Sequence, residues 1–173
     1  MARQGPSFRR TRRGDFQVRL SPPERDILRT LPGQLRDLLE EDPAADPGLA
    51  RLHPPAHPED RRLEAEYRSL VQDDLARQRR EALDVMVATV GADRLDEDQL
   101  SAWLSVLNDL RLVLGTRLDV TEDMYERGFP EDDPRAQAFA LYAYLGYLQE
   151  EAVQALAAAL PEGGPDVEPG VVG

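Results

Sequence analysis

The chain has 173 residues, the size of one domain, since about 150 residues suffice to remove roughly 68–70% of the unfolded surface from water. It contains no cysteine, which excludes disulfides, thiolate metal sites, cysteine nucleophiles and a thiol redox switch within the chain. Its 21 basic residues, all arginine, face 33 acidic ones, for a net charge of −12. No stretch approaches the roughly 18 apolar residues of a membrane-spanning helix, and the arginine-rich start lacks the apolar run of a secretory signal. The expected location is the cytoplasm.

Residues 1–20 hold six arginines against one aspartate, a net +5, so residues 21–173 carry −17. Residues 1–13 are expected to be a basic arm, 14–160 a single helical domain and 161–173, "PEGGPDVEPGVVG", a disordered tail. The segment "SFRRTRRGDFQVRL" alternates after Gly14, with Phe16, Val18 and Leu20 on one side, and predicts a hairpin in which they pair with Phe8 to Thr11. A helix follows with Ser21 as N-cap, Pro22 in the first turn and Glu24 completing a capping box. "PG" at Pro32 and Gly33 is expected to break or kink it.

Five prolines between residues 42 and 60 predict an irregular connection. From Glu59 a helix of about 30 residues is expected, ending by Gly91, then helices over Glu97 to Leu118 and Pro134 to Leu160, the latter capped by Asp133. The fold class is therefore mostly α: a bundle of about four to five helices with a small N-terminal β-hairpin.

Functional candidates concentrate in "LNDLRLVLGTRLD", where the only asparagine, Asn108, sits beside Asp109 and Arg111 in a leucine-rich pattern. At about 100° per residue, Leu100, Trp103, Leu107, Leu110, Val113 and Leu118 share half of the helix, with Arg111 in its midst. A guanidinium buried there needs an acceptor. The helical phase nominates Asp74 or Glu150, and a buried ion pair fixing helix register is preferred to a ligand pocket around Arg111. Asn108 is expected to bond across to another helix or a loop carbonyl. Leu112 stands alone on the polar side, to be covered by the hairpin or the "LARL" of residues 49–52, or else to anchor a homodimer or partner helix.

Other signals favour structural or solvated roles. His53 and His57 have a metal-compatible spacing, but the prolines between them deny them a helix. The acid pairs Asp73/Asp74 and Asp132/Asp133 lack a nucleophile or base in an apolar cleft. "FRRTRRG" offers phosphate contacts, yet the acidic body would repel a duplex. No cofactor motif is present; Gly146, in a helix apolar almost all round, permits close helix approach.

The stretches "DPGLARLHPPAHPEDRRLEAEYRSL", "AWLSVLNDLRLVLGTRLDVTED" and "YAYLGYLQEEAVQAL" resemble the actinobacterial oxidative-stress-regulator (AosR) family across roughly residues 14–160. The run from Trp103 to Asp123 is the most specific part, and within it Trp103, Asn108, Asp109, Arg111, Leu112, Gly115 and Arg117 form the motif. The resemblance implies a mostly helical cytoplasmic protein that regulates transcription through a protein partner, without catalysis. Cysteine-based switching is associated with the family, and this chain departs from that pattern by having none. The expectation is thus a non-enzymatic regulator acting by protein contact, with a ligand-binding protein or hydrolase around Arg111, or a DNA-binding regulator using the basic arm, as alternatives.

Overall fold

The computed structural model describes residues 5–41, 47–52 and 59–160. The expected tail and both histidines lie outside the described residues. The hairpin forms as β1 (Phe8–Arg10) and β2 (Phe16–Val18), antiparallel, with Phe8 opposite Val18 and Arg10 opposite Phe16. Its turn closes through Thr11 N–H to the Asp15 carbonyl at 2.8 Å, with Gly14 at φ +88° supplying the left-handed residue. A third strand, β3 (Arg94–Leu95), pairs with β2 on its other side. Two residues are too few for any alternation to announce it.

Phe8, Phe16 and Val18 turn into the core while Arg9 and Gln17 face water. The stretch read as a basic arm therefore contributes a core strand. Ser7 is buried too, its N–H donating to Glu151 at 2.8 Å, and Arg10 Nη1 donates to the Ala158 carbonyl at 3.2 Å. The boundary drawn at residue 14 cuts through this hairpin: the apolar demand of Phe8 outweighs the solubility of its arginine neighbours.

Helix α1 (Pro22–Leu39) begins as expected, with Ser21 N–H donating to Glu24 Oε2 at 2.7 Å. It does not break at Pro32. The ring is buried between Leu28, Leu31 and Leu35, also buried, and burial on this scale outweighs the missing backbone hydrogen bond. Helix α2 (Pro47–Ala50) is one turn inside the proline-rich connection, and its Leu49, with Leu52 just after it, is buried against α5.

The helix expected from Glu59 runs as α3 (Arg61–Tyr67), a π-helical turn over Arg68–Gln72, and α4 (Asp73–Thr89). A π turn accommodates one extra residue and rotates everything downstream by about 100°. Asp74, just past that turn, is thereby placed out of the phase a continuous α-helix would give it, and Leu63 and Leu70 are exposed.

Helix α5 (Glu97–Arg117) is capped reciprocally, Gln99 N–H to Asp96 Oδ1 at 2.8 Å and Asp96 N–H to Gln99 Oε1 at 2.9 Å. A short helix α6 (Glu122–Arg127) precedes α7 (Ala136–Ala157). The carboxylate of Asp133 accepts the Arg135 N–H at 2.8 Å, the contact foreseen for a cap, although the helix proper starts later. α5 is the central helix, packed against α4, α7 and the α2 turn. Trp103, fully buried on it, donates Nε1–H to Thr89 Oγ1 at 2.8 Å and meets Phe8 edge to face at 6.0 Å.

Candidate functional site around helix α5

Three arrangements surround α5. The first is the ion pair of Arg79 on α4 with Asp109, Nε to Oδ2 at 3.3 Å, the side chains 16% and 9% exposed. Arg79 Nη2 also donates to the Leu52 carbonyl at 2.8 Å, so one guanidinium ties α4, α5 and the α2 turn together. Burial pushes the Asp109 carboxyl above the ordinary aspartate range, and the Arg79 charge opposes that rise. The buried ion pair predicted for this helix thus exists, on a different residue. Asp109 falls in what the helical wheel marks as the polar half, but α4 and the α2 turn pack on α5 and Asp109 is buried.

The second arrangement centres on Arg111, which lies at the edge of the buried arc, half-exposed. Its Nη1 donates to Gln149 Oε1 at 2.7 Å, its Nη2 lies 3.4 Å from the Tyr142 hydroxyl, and its guanidinium stacks over the Tyr142 ring at 5.0 Å. The carboxylates nominated from sequence are elsewhere. Asp74 pairs with Arg77 one turn along its own helix, and Glu150 accepts from Gln154 Nε2 at 3.1 Å. Glu150 is exposed and Gln149, its neighbour, takes the inward place: the phase of α7 is one residue off the expectation. Gln149 Nε2 donates in turn to Asn108 Oδ1 at 3.2 Å, so Asn108 does bond across to another helix.

Two glycines make room for this cluster. A Cβ on Gly115 would lie 2.9 Å from Tyr142 Cε2, and one on Gly146 would lie 3.2 Å from Arg111 Nε. Gly146 thus admits the arginine side chain. Beside the cluster a mostly polar pocket of about 140 Å³ is lined by Arg51, Arg111, Leu112, Gly115, Thr116, Val120 and Tyr142. Leu112 itself is 37% exposed; the "LARL" segment packs on α5 through Leu49 and Leu52 and leaves Leu112 at the pocket rim.

The third arrangement is an apolar groove between α1 and α7. A cavity of about 590 Å³ opens between Ile27 and the Pro134 to Tyr144 stretch, and a smaller one of about 100 Å³ continues along Leu31, Leu35 and Leu38 over Leu110 and Val113 of α5. Leu141 is in the wall of both, and Arg117 of the motif borders the smaller. Ile27 remains 42% exposed at the mouth. This groove escaped the sequence because its walls come from helices remote in the chain. Arg79, Gln149, Tyr142 and Arg51 were missed for the same reason.

Among the described residues no group of three or more histidine or acidic side chains is arranged to hold a metal ion, and no helix is long and apolar enough to cross a membrane. Fold and surface together define a small α-helical protein with an N-terminal three-stranded sheet, an ion-paired central helix and an open apolar groove. Residues 3–156 match the family described as Domain of unknown function (DUF2017), and the chain belongs to this family, that of the AosR regulators. A Mycobacterium leprae protein named as an oxidative stress regulator, AosR, is 30% identical over 181 residues, covering 83% of each chain. Proteins of Mycobacterium bovis and Mycobacterium tuberculosis named oxidative stress regulator AosR are 32% identical over 141 residues, covering 78% of this chain. The chain spans 59% of the length of those two relatives. No solved structure matches it significantly.

Proposed function

We propose that the protein is a non-enzymatic regulator that acts in the cytoplasm by binding another protein through the groove between α1 and α7. The observation that carries this reading is the groove itself: a cavity of about 590 Å³ walled by Ile27, Ala138, Ala140, Leu141 and Tyr144 in a chain that is 31% charged. Apolar surface left open to water in so polar a protein is most economically explained by an occupant. The groove runs between two long helices, which suits an amphipathic helix laid into it with anchors at i, i+3, i+4 and i+7. The relatives' names support a regulatory role, and a partner within the transcription machinery is consistent with them.

A role in DNA binding is disfavoured by the position of the arginines. Arg10 is engaged with Ala158, and β1 is paired within the sheet rather than extended as an arm. A thiol signal is excluded within this chain, which has no cysteine.

The test is a comparison of native-host complexes captured by the wild-type protein and by Ala140→Glu, a substitution at an exposed groove position. A partner retained by the wild type and lost by a stably folded Ala140→Glu supports the reading. Equal recovery of every partner by both proteins rejects the groove as the docking surface.

A further inference from the structure

We propose that the tip and outer face of the N-terminal hairpin form a docking surface for a short acidic segment of another protein. Between Phe8 and Leu20 five arginines stand against one aspartate, in a chain whose net charge is −12. The register sets Arg9 opposite Gln17 and Gln17 opposite Arg94, and all three side chains are exposed. Directly opposed residues share a face of the sheet, so these three form a row across it. Beneath them Phe8, Phe16 and Val18 are buried in the core, which anchors the face.

The tip is built from specific hydrogen bonds. Thr11 N–H donates to the Asp15 carbonyl at 2.8 Å, Gly14 N–H to the Thr11 carbonyl at 3.1 Å, and Arg13 N–H to Thr11 Oγ1 at 3.2 Å. Arg12, Arg13 and Gly14 thus make a three-residue loop with its left-handed residue last, and both arginines are exposed on it. Proline, aspartate, asparagine and serine are the residues such turns favour, so the fold does not itself ask for two arginines there. Nor do they guard an open strand edge, the common reason for charge on a small sheet. The end of α7 lies along β1, Glu151 accepting the Ser7 N–H at 2.8 Å and the Ala158 carbonyl accepting from Arg10 at 3.2 Å. Asp15, the one carboxylate of the hairpin, is engaged by Arg94 at 3.1 Å and by the Thr11 hydroxyl.

A cationic surface recognises an anion, and the surroundings select an acidic peptide over a nucleic acid. Phe8 and Phe16 are buried, so neither ring offers a base a stacking platform. The patch is also bounded by acids: Asp96, Glu97 and Asp98 are exposed immediately after β3, and Glu150 and Glu151 lie on the α7 side. A long polyanion leaving the tip runs onto those carboxylates, whereas a peptide with a few acidic residues does not. The acidic remainder of the chain acts in the same direction. This surface shares no residue with the walls of the groove between α1 and α7 and does not depend on that groove having an occupant.

The experiment titrates the isotope-labelled full chain with a hexaglutamate peptide at low ionic strength, following backbone amide NMR signals, with an oligothymidylate of equal charge as the parallel arm. The expected result is saturable peptide binding with shifts centred on Arg9, Arg12, Arg13 and Gly14, weakened by added salt as exposed charge contacts are. Arg12→Glu/Arg13→Glu should fold as the wild type does and weaken binding at least about ten-fold. Arg12→Ser/Arg13→Ser, with residues common in turns, should weaken it in the same direction. Arg61→Glu/Arg62→Glu, an equal change of net charge at exposed positions outside the hairpin, should leave binding nearly unchanged. Equal weakening by both glutamate pairs, undiminished binding by the folded serine pair, or no saturable shifts at the hairpin overturns the proposal. Tighter binding of the oligothymidylate at the same residues assigns the surface to nucleic acid and overturns it too.

Discussion

Asp109 is held with its carboxylate almost out of reach of water, and Arg79 is its ion-pair partner. Removing one member of such a pair leaves the other buried and uncompensated. Asp109→Ala is expected to lower unfolding free energy by about 3–5 kcal/mol, read from urea denaturation. The raised carboxyl also makes a pH prediction. Where a folded-state value lies above the unfolded value of 3.8, the native state holds the proton longer, so this group's contribution to stability falls as pH rises from about 4 through the raised value. Asp109→Asn cannot titrate. The difference in melting temperature, wild type minus Asp109→Asn, is expected to fall with pH across that window and to level off above it. Arg111→Ala removes the stacking on Tyr142 and the hydrogen bond to Gln149, contacts worth about 1–2 kcal/mol, a loss to be read in the same denaturation series. The lone asparagine in a leucine pattern announced its own cross-helix bond. Asp109 could not be read, because what covers its side of α5 is supplied by Arg79 and the Leu52 carbonyl, 30 and 57 residues earlier in the chain.

At the scale of elements, long helices were legible: the Ser21 cap of α1 and the α5 limits agree with the sequence pattern to within a residue or so. Short elements were not. β3, α2 and α6 contain two, four and six residues, too few for a period to emerge. The π turn at Arg68–Gln72 was also invisible, since one inserted residue leaves the composition unchanged and alters only the phase. The seam between α5 and α7 depends on Gly115. A methyl there would meet the Tyr142 ring at 2.9 Å, so Gly115→Ala is expected to cost about 1–3 kcal/mol, as overpacking does. Adding Tyr142→Ala should recover part of that loss; two purely additive penalties in thermal melts would show that the ring is not what the methyl meets.

Across the whole molecule the sheet and the helices share one core. Phe8 from β1 is buried with Leu28, Leu83, Trp103 and Leu148 from four different helices. Deleting residues 1–13 should therefore unfold much of the domain, and Phe8→Ala alone should cost about 3–5 kcal/mol, measured by denaturation. Ala140→Glu, at an exposed position of the groove, should by contrast change stability by no more than about 0.5 kcal/mol. The single tryptophan carries a practical consequence of this shared core. Trp103 lies at the junction of the hairpin, the end of α4 and the middle of α5, its ring against Phe8 and its N–H on Thr89. Its fluorescence should therefore be emitted from a dry, immobile indole, resist iodide and acrylamide quenching, and shift to the red only when all three pieces separate. One optical signal from one residue then reports the cooperative loss of the domain, with no label added.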